Sequence, residues 1–134
     1  MAFVFKYDLT GADIRLVTGV VTASAVLSIG EIVLHSSGEI DAGATGSVLF
    51  AGVSMEAVDN TADGETVQYI ANPFAVYSVV DANARNAGAP LDMATGGLLV
   101  TTDSNSDLIV VETSTASEPT LVMFNQTHAF QAKA

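Results

Sequence analysis

The residues able to support chemistry in this chain are few and widely spaced. It has two histidines, His35 and His128, and no cysteine. A cysteine-free zinc site draws on histidines and carboxylates a helical turn or a hairpin apart. Neither histidine has such a neighbour, so each reads as a polar residue at a strand end and no metal is expected. Two acidic runs have the look of a calcium loop. Asp59-Asn60-Thr61-Ala62-Asp63-Gly64 places acids first and fifth and glycine sixth, but the twelfth position is Ile70, where that loop needs a bidentate glutamate. Asp103-Ser104-Asn105-Ser106-Asp107 repeats the acid spacing with Leu108 in the glycine's place. Both runs are expected to be turns in which Asp and Asn bond their own backbone.

Nucleophiles and phosphate cradles fare no better. Gly52-Val53-Ser54-Met55-Glu56 lacks the second glycine of a nucleophile elbow and lies in a strand-like run with no helix to follow. No lysine follows a glycine-rich loop, which removes the usual phosphate-binding motif. A pair of carboxylates brought from distant strands, as glycoside hydrolysis uses, stays open with 15 acids available. Asn125-Gln126-Thr127 fits an N-glycosylation pattern but reads as part of a strand. No cofactor and no catalytic residue is assigned, and the chain is expected not to be an enzyme.

The scaffold for these residues follows from composition. With 134 residues the chain is sized for one domain. Its hydrophobic half is dominated by small and β-branched residues, aromatics making up only 7%, which suits thin sheets and close packing. Fifteen acids against four basic residues give a formal charge of −11, with the acids scattered as singles. Nucleic-acid binding needs a basic patch to release counterions, and an anionic membrane surface attracts basic segments, so neither partner is expected. The longest uncharged run, the 15 residues between Arg15 and Glu31, contains four Ser or Thr and falls short of a membrane span. The first residues lack the apolar core of a signal peptide, so synthesis in a cytoplasm without export is the expectation.

Along the chain, residues 1–9 alternate, with Phe3, Phe5, Tyr7 and Leu9 on one side and Val4, Lys6 and Asp8 on the other. The break at Thr10 to Asp13 leaves two readings: a first strand in the domain's own sheet, or an arm, residues 1–13, that adds to a neighbour's sheet ahead of a β domain at 14–134. Strands are expected at 16–23, 26–29, 31–35, 47–58, 65–71, 74–80, 91–93, 98–102, 108–113 and 120–127. Turns fall at Ser36-Ser37-Gly38, Asp41 to Gly46 and Asp59 to Gly64, and the run from Glu65 is expected to pair antiparallel with the run ending at Val58. Asn72-Pro73 interrupts the ladder as a corner. Asp81 to Gly88 is the one helix candidate, with Asp81 as cap and Gly88 as stop. The sum is an all-β fold, a small single-domain barrel or sandwich of about eight short strands with an N-terminal arm and at most one short helix.

From Gly46 to Val80, the stretch FAGVSMEAVD, an acidic turn, GETVQYI and NPFAVYSVVDA resembles the proteins that decorate the heads of tailed bacteriophages. Asp92 to Leu98 and Ser106 to Val111 extend the resemblance to about two thirds of the chain. It implies a noncatalytic head-stabilising, or cement, protein on the outer surface of the virion. It further implies binding to the major capsid protein lattice and self-association as trimers or dimers, with Phe3, Phe5 and Tyr7 placed for a terminal arm to pair with that lattice. Arg15 and Arg85 stand out in a chain so poor in cations, each expected to meet a carboxylate of its own chain or of a partner. The interface candidates are thus Phe3, Phe5, Lys6, Tyr7, Arg15 and Arg85. A virion-displayed module binding glycans or small ligands is the alternative, though it has few exposed aromatics to draw on.

Overall fold

The computed structural model describes residues 3–43, 50–93, 100–101 and 107–125. These form thirteen short strands, numbered along the chain, and no helix. Six make one sheet in the order β1 (Val4–Asp8), β9 (Ala75–Val80), β13 (Pro119–Phe124), β12 (Leu108–Val110), β10 (Pro90–Met93) and β11 (Val100–Thr101). Five make a second, in the order β2 (Leu16–Val20), β8 (Thr66–Ile70), β6 (Phe50–Ser54), β4 (Ile32–Ser36) and β5 (Glu39–Ala42). The short β3 (Val26–Leu27) and β7 (Val58–Asp59) pair with each other. All strand pairs are antiparallel. The expected all-β class is the one observed, as a sandwich whose strands are shorter and more numerous than the apolar runs suggest.

Two cores account for the burial. Between the sheets lie Phe3, Ile32, Phe50, Val53, Ile70, Tyr77, Leu91, Leu108, Val122 and Phe124. An aromatic string runs through this layer: Phe5 meets Tyr77 edge-on at 6.2 Å, Tyr77 meets Phe124 at 6.0 Å, and Phe124 stacks on Phe50 at 5.2 Å. It joins β1, β9 and β13 of one sheet to β6 of the other, in the ring geometries that add to plain area burial. The second core, with Val21, Leu27, Val33, Ile40, Ala51, Val58, Val67 and Tyr69, lies on the opposite face of the five-stranded sheet. That sheet curls until its two edges approach, where Val21 bridges Ile40 and the Thr22 N–H donates to the Ile40 carbonyl at 2.9 Å. Gly19 permits the curl, since a β-carbon there would stand 2.5 Å from the Ile40 side chain.

Several turns follow from sequence. Ser37 and Gly38, with φ of 50° and 84°, form a two-residue loop between the paired Ser36 and Glu39; positive φ at both positions matches the twist of a hairpin. β8 pairs antiparallel with β6, through Val53 with Ile70 and Ser54 with Tyr69, but the expected run 47–58 is split: Val58 and Asp59 form β7 and pair with β3 instead, so Asp59 is a strand residue and the turn begins after it. Asn72-Pro73 is the corner at which the chain leaves the five-stranded sheet for the six-stranded one.

Three expectations need correction. Asp41 and Ala42 belong to β5 rather than to a turn, and residues 44–46 lie outside the described residues. Asp81 to Gly88 is not helical: Asp81 accepts the Asn83 N–H at 3.0 Å, while Arg85 is drawn into a bridge with Ser114. Local Asp and Asn bonds of this kind compete with the helix ladder, and here they win. The alternation of residues 3–9 breaks at Lys6, where a bulge shifts the register between Phe5 and Tyr7. Phe3 and Phe5 therefore face the core, whereas Tyr7 and Leu9 turn outward and Asp8 turns in.

Candidate functional site

The acidic turn is held together from within. Asn60 is fully buried; its amide nitrogen donates to the carbonyls of Val21 at 3.0 Å and Thr22 at 2.9 Å, and its side-chain oxygen accepts the Glu65 N–H at 2.9 Å. Asp59 accepts the Thr61 N–H, and Asp63 sits at φ 63° beside Gly64 at 89°. These carboxylates serve the backbone, as a turn requires. Among the described residues no group of three His, Asp or Glu is placed to hold a metal ion. His35 lies edge-on to Tyr69 at 6.4 Å. His128, residues 103–106 of the second acidic run, and Gln126-Thr127 lie outside the described residues, while Asp107 is buried.

Ser54 is buried in β6, and its hydroxyl donates to the Glu56 carbonyl at 2.6 Å. The buried acid Glu31 has its carboxyl pushed above the ordinary glutamate range by burial, an effect opposed by the Ser28 N–H and reinforced by the charge of Asp41. A raised carboxyl near a second acid is the pattern sought in a glycosidase. Glu31, however, is only 3% exposed, and no acid lines the apolar groove beside Gly30.

A second polar centre sits at the corner. Asn72 is buried; its side-chain oxygen accepts the Arg15 N–H at 2.6 Å, and its nitrogen donates to the Asp13 carbonyl at 2.9 Å and to the Asp8 carboxylate at 3.0 Å. The Asp8 carboxylate is held below the ordinary aspartate range by the Thr10 hydroxyl first, then Asn72, then the Thr10 N–H. This network clamps the link between β1 and β2 to the corner between the sheets.

An apolar groove of about 320 Å³ lies where the start of β1 meets the ends of β6 and β8, the 29–30 segment and Ile14. Phe3, Phe5, Val53 and Ile70 form its depth, and Val4, Ile14, Ile29 and Met55 its rim. The rim side chains are 43–60% exposed, which is unusual company for four large aliphatic residues on one opening.

The six interface candidates separate accordingly. Phe3 is buried and Phe5 partly buried at the base of the groove, so they face their own chain. Arg85 is bound to Asp81, Nε to Oδ2 at 2.5 Å, with its side chain 11% exposed. Lys6, Tyr7 and Arg15 remain exposed. Sequence reasoning missed the rim residues Val4, Ile14, Ile29 and Met55. Their only signal was aliphatic character, and the groove appears only once β1 is seen to pair with β9 in its own sheet.

No protein-family model matches the chain, and no curated protein matches its sequence. Among solved structures, the N base of the head fibre gp8.5 of bacteriophage phi29 has a similar fold, with a TM-score of 0.56 over 85% of this chain and 98% of that one at 18% identity.

Proposed function

We propose that the chain is a noncatalytic structural protein of a bacteriophage virion that attaches to the outside of the head by binding the major capsid protein lattice and further copies of itself. The observation that carries this reading is the fold shared, nearly end to end, with the base of a phage head fibre. The chemistry of the chain agrees with it. Asn60, Asn72, Asp81 and Arg85 are engaged in turns, in polar centres and in an ion pair, and the apolar groove suits a contact surface better than a reaction. A surface charged at −11 keeps copies from sticking to one another indiscriminately at high local density, while repeated weak contacts on a lattice combine through multivalency.

The test is co-sedimentation of the purified chain with heads prepared without it. Saturable binding at many copies per head is expected. No binding to heads, with the chain folded, would sink the reading.

A further inference from the structure

We propose that Asp63 and Gly64, at the tip of the turn between β7 and β8, form a site of spontaneous covalent modification where aspartate converts to isoaspartate and the turn loosens. The inference is independent of the attachment role.

The step is a condensation within the backbone. The Gly64 nitrogen bonds to the Asp63 Cγ, the amide proton and the carboxyl hydroxyl leave together as water, and a cyclic imide remains. Water then adds to either imide carbonyl. Opening at one restores aspartate; opening at the other leaves the main chain running through Cγ, with the former main-chain carboxyl as the side group. Water is released and taken up again, and no other reactant is consumed.

The site supplies what this step needs. Asp63 is the only Asp or Asn of the sequence followed by glycine, which leaves the attacking nitrogen unshielded and its φ free. Both residues are exposed, and a β-carbon on Gly64 would meet nothing within 4 Å. The Gly64 N–H donates to Asp63 Oδ1 at 2.8 Å and has no other acceptor among the described residues, so the carboxyl already lies against the nitrogen that attacks it. The Asn60 side-chain nitrogen makes a long contact with the same oxygen, at 3.5 Å, and draws charge away from the carboxyl carbon.

The other described aspartates each lack part of this arrangement. The Leu9 and Asn60 amides, which follow Asp8 and Asp59, donate to the carbonyls of Phe74 at 3.0 Å and Ala25 at 2.9 Å. Asp13 precedes the branched Ile14. Asp81, Asp92 and Asp107 are buried. Asp41 comes nearest, because the Ala42 N–H donates to its Oδ1 at 2.8 Å; Ala42, however, carries a methyl group and is half-buried in the paired strand β5.

The consequence follows from which bonds lie beyond the altered link. The Asp63 N–H, bonded to the Asn60 carbonyl at 3.0 Å, precedes it. The Glu65 N–H, bonded to the Asn60 side chain at 2.9 Å, and the Glu65 carbonyl, which accepts the Val21 N–H at 3.0 Å, come after it. One additional main-chain atom between 63 and 64 displaces these later bonds, at the place where the five-stranded sheet closes through Val21 and Ile40.

The test holds the folded full chain warm in mildly acidic buffer, with a synthetic peptide of residues 59–67 as the unfolded reference. Electron-transfer fragmentation of digests locates isoaspartate, and enzymatic methylation of isoaspartate counts it. Position 63 should carry several-fold more isoaspartate than Asp41, preceded by a species lighter by one water. Asp63→Glu, whose carboxyl would have to close a larger ring, should lose the modification, and Asp63→Asn should convert faster with release of ammonia. Hydrogen exchange at Val21 and Glu65 should quicken in the converted chain. No isoaspartate at 63 in the folded chain under conditions that convert the peptide, or equal conversion at Asp41, would overturn the proposed site. Unchanged exchange at Val21 and Glu65 in the converted chain would overturn the loosening.

Discussion

The side-chain nitrogen of Asn72 donates to the Asp8 carboxylate at 3.0 Å across 64 positions of sequence. The same amide engages the Asp13 carbonyl and the Arg15 N–H, so one side chain fixes the end of β1, the link to β2 and the corner between sheets. Asn72→Ala should therefore cost about 2–4 kcal/mol, because buried groups lose partners that water cannot easily replace. Urea denaturation measures it. Asn72→Asp should also destabilise at neutral pH, since it brings a carboxylate rather than a donor to Asp8.

Acid stability should depend on Asp8 and Glu31 with opposite signs. Bonds from Thr10 and Asn72 lower the Asp8 pKa in the folded chain. Its contribution is present above the unfolded value of about 3.9 and is lost as pH falls through the folded value. Burial raises the Glu31 pKa, so its contribution is present below the unfolded value of about 4.3 and is lost as pH rises through the folded one. Thermal melts across acid to neutral pH should show Asp8→Asn with a weaker loss toward acid. They should show Glu31→Gln with a weaker loss toward neutral pH.

Gly52 should tolerate no side chain. Its φ is 156°, and a β-carbon there would overlap the Ile70 carbonyl oxygen of the adjacent strand, where the pairing of β6 with β4 is also irregular. Gly52→Ala is expected to cost at least about 3 kcal/mol, since the obstacle is backbone. At Gly19 the obstacle is the Ile40 side chain, which can shift, so Gly19→Ala should cost less. Comparing the two denaturation midpoints checks the order.

Arg85 and the pair Lys6 and Arg15 should behave differently in head binding. Removing Arg85 leaves the buried Asp81 carboxylate with only its backbone partner, at a cost of about 1–3 kcal/mol in stability. Arg85→Ala should still bind heads below its melting temperature. Lys6→Glu with Arg15→Glu, both at exposed positions, should leave the melting temperature nearly unchanged and weaken binding. Melting curves and co-sedimentation of the same samples separate these outcomes.

What could be read from sequence divides along physical lines. The Ser37-Gly38 hairpin and the Asn72-Pro73 corner were legible because glycine admits the positive φ a tight turn needs, while proline fixes its own φ and has no amide donor for a ladder. The turn at Asp59 to Gly64 was legible as a turn, yet the role of Asn60 within it was not, because its partners are the Val21 and Thr22 carbonyls far upstream. The outward alternation of residues 3–9 failed at one residue: the bulge at Lys6 reverses the facing of everything after it. The helix at Asp81 to Gly88 failed because the local Asp81–Asn83 bond competes with the helix ladder and Ser114, distant in sequence, bridges to Arg85. The groove was hidden for a related reason, since it exists only where β1 meets β6, β8 and the 29–30 segment, elements whose meeting no local pattern encodes.

The order of strands around β9 carries a mechanical consequence. β1 and β13 flank β9 and are both antiparallel to it, so they run in the same direction. Tension applied between residue 3 and residue 125 would pull β1 and β13 lengthwise past β9 in opposite senses. The ladder bonds lie across that pull, so they must rupture together instead of unzipping one at a time. A domain of this build resists being drawn out by its ends, which suits an object tethered at one end and tugged by flow or collision at the other.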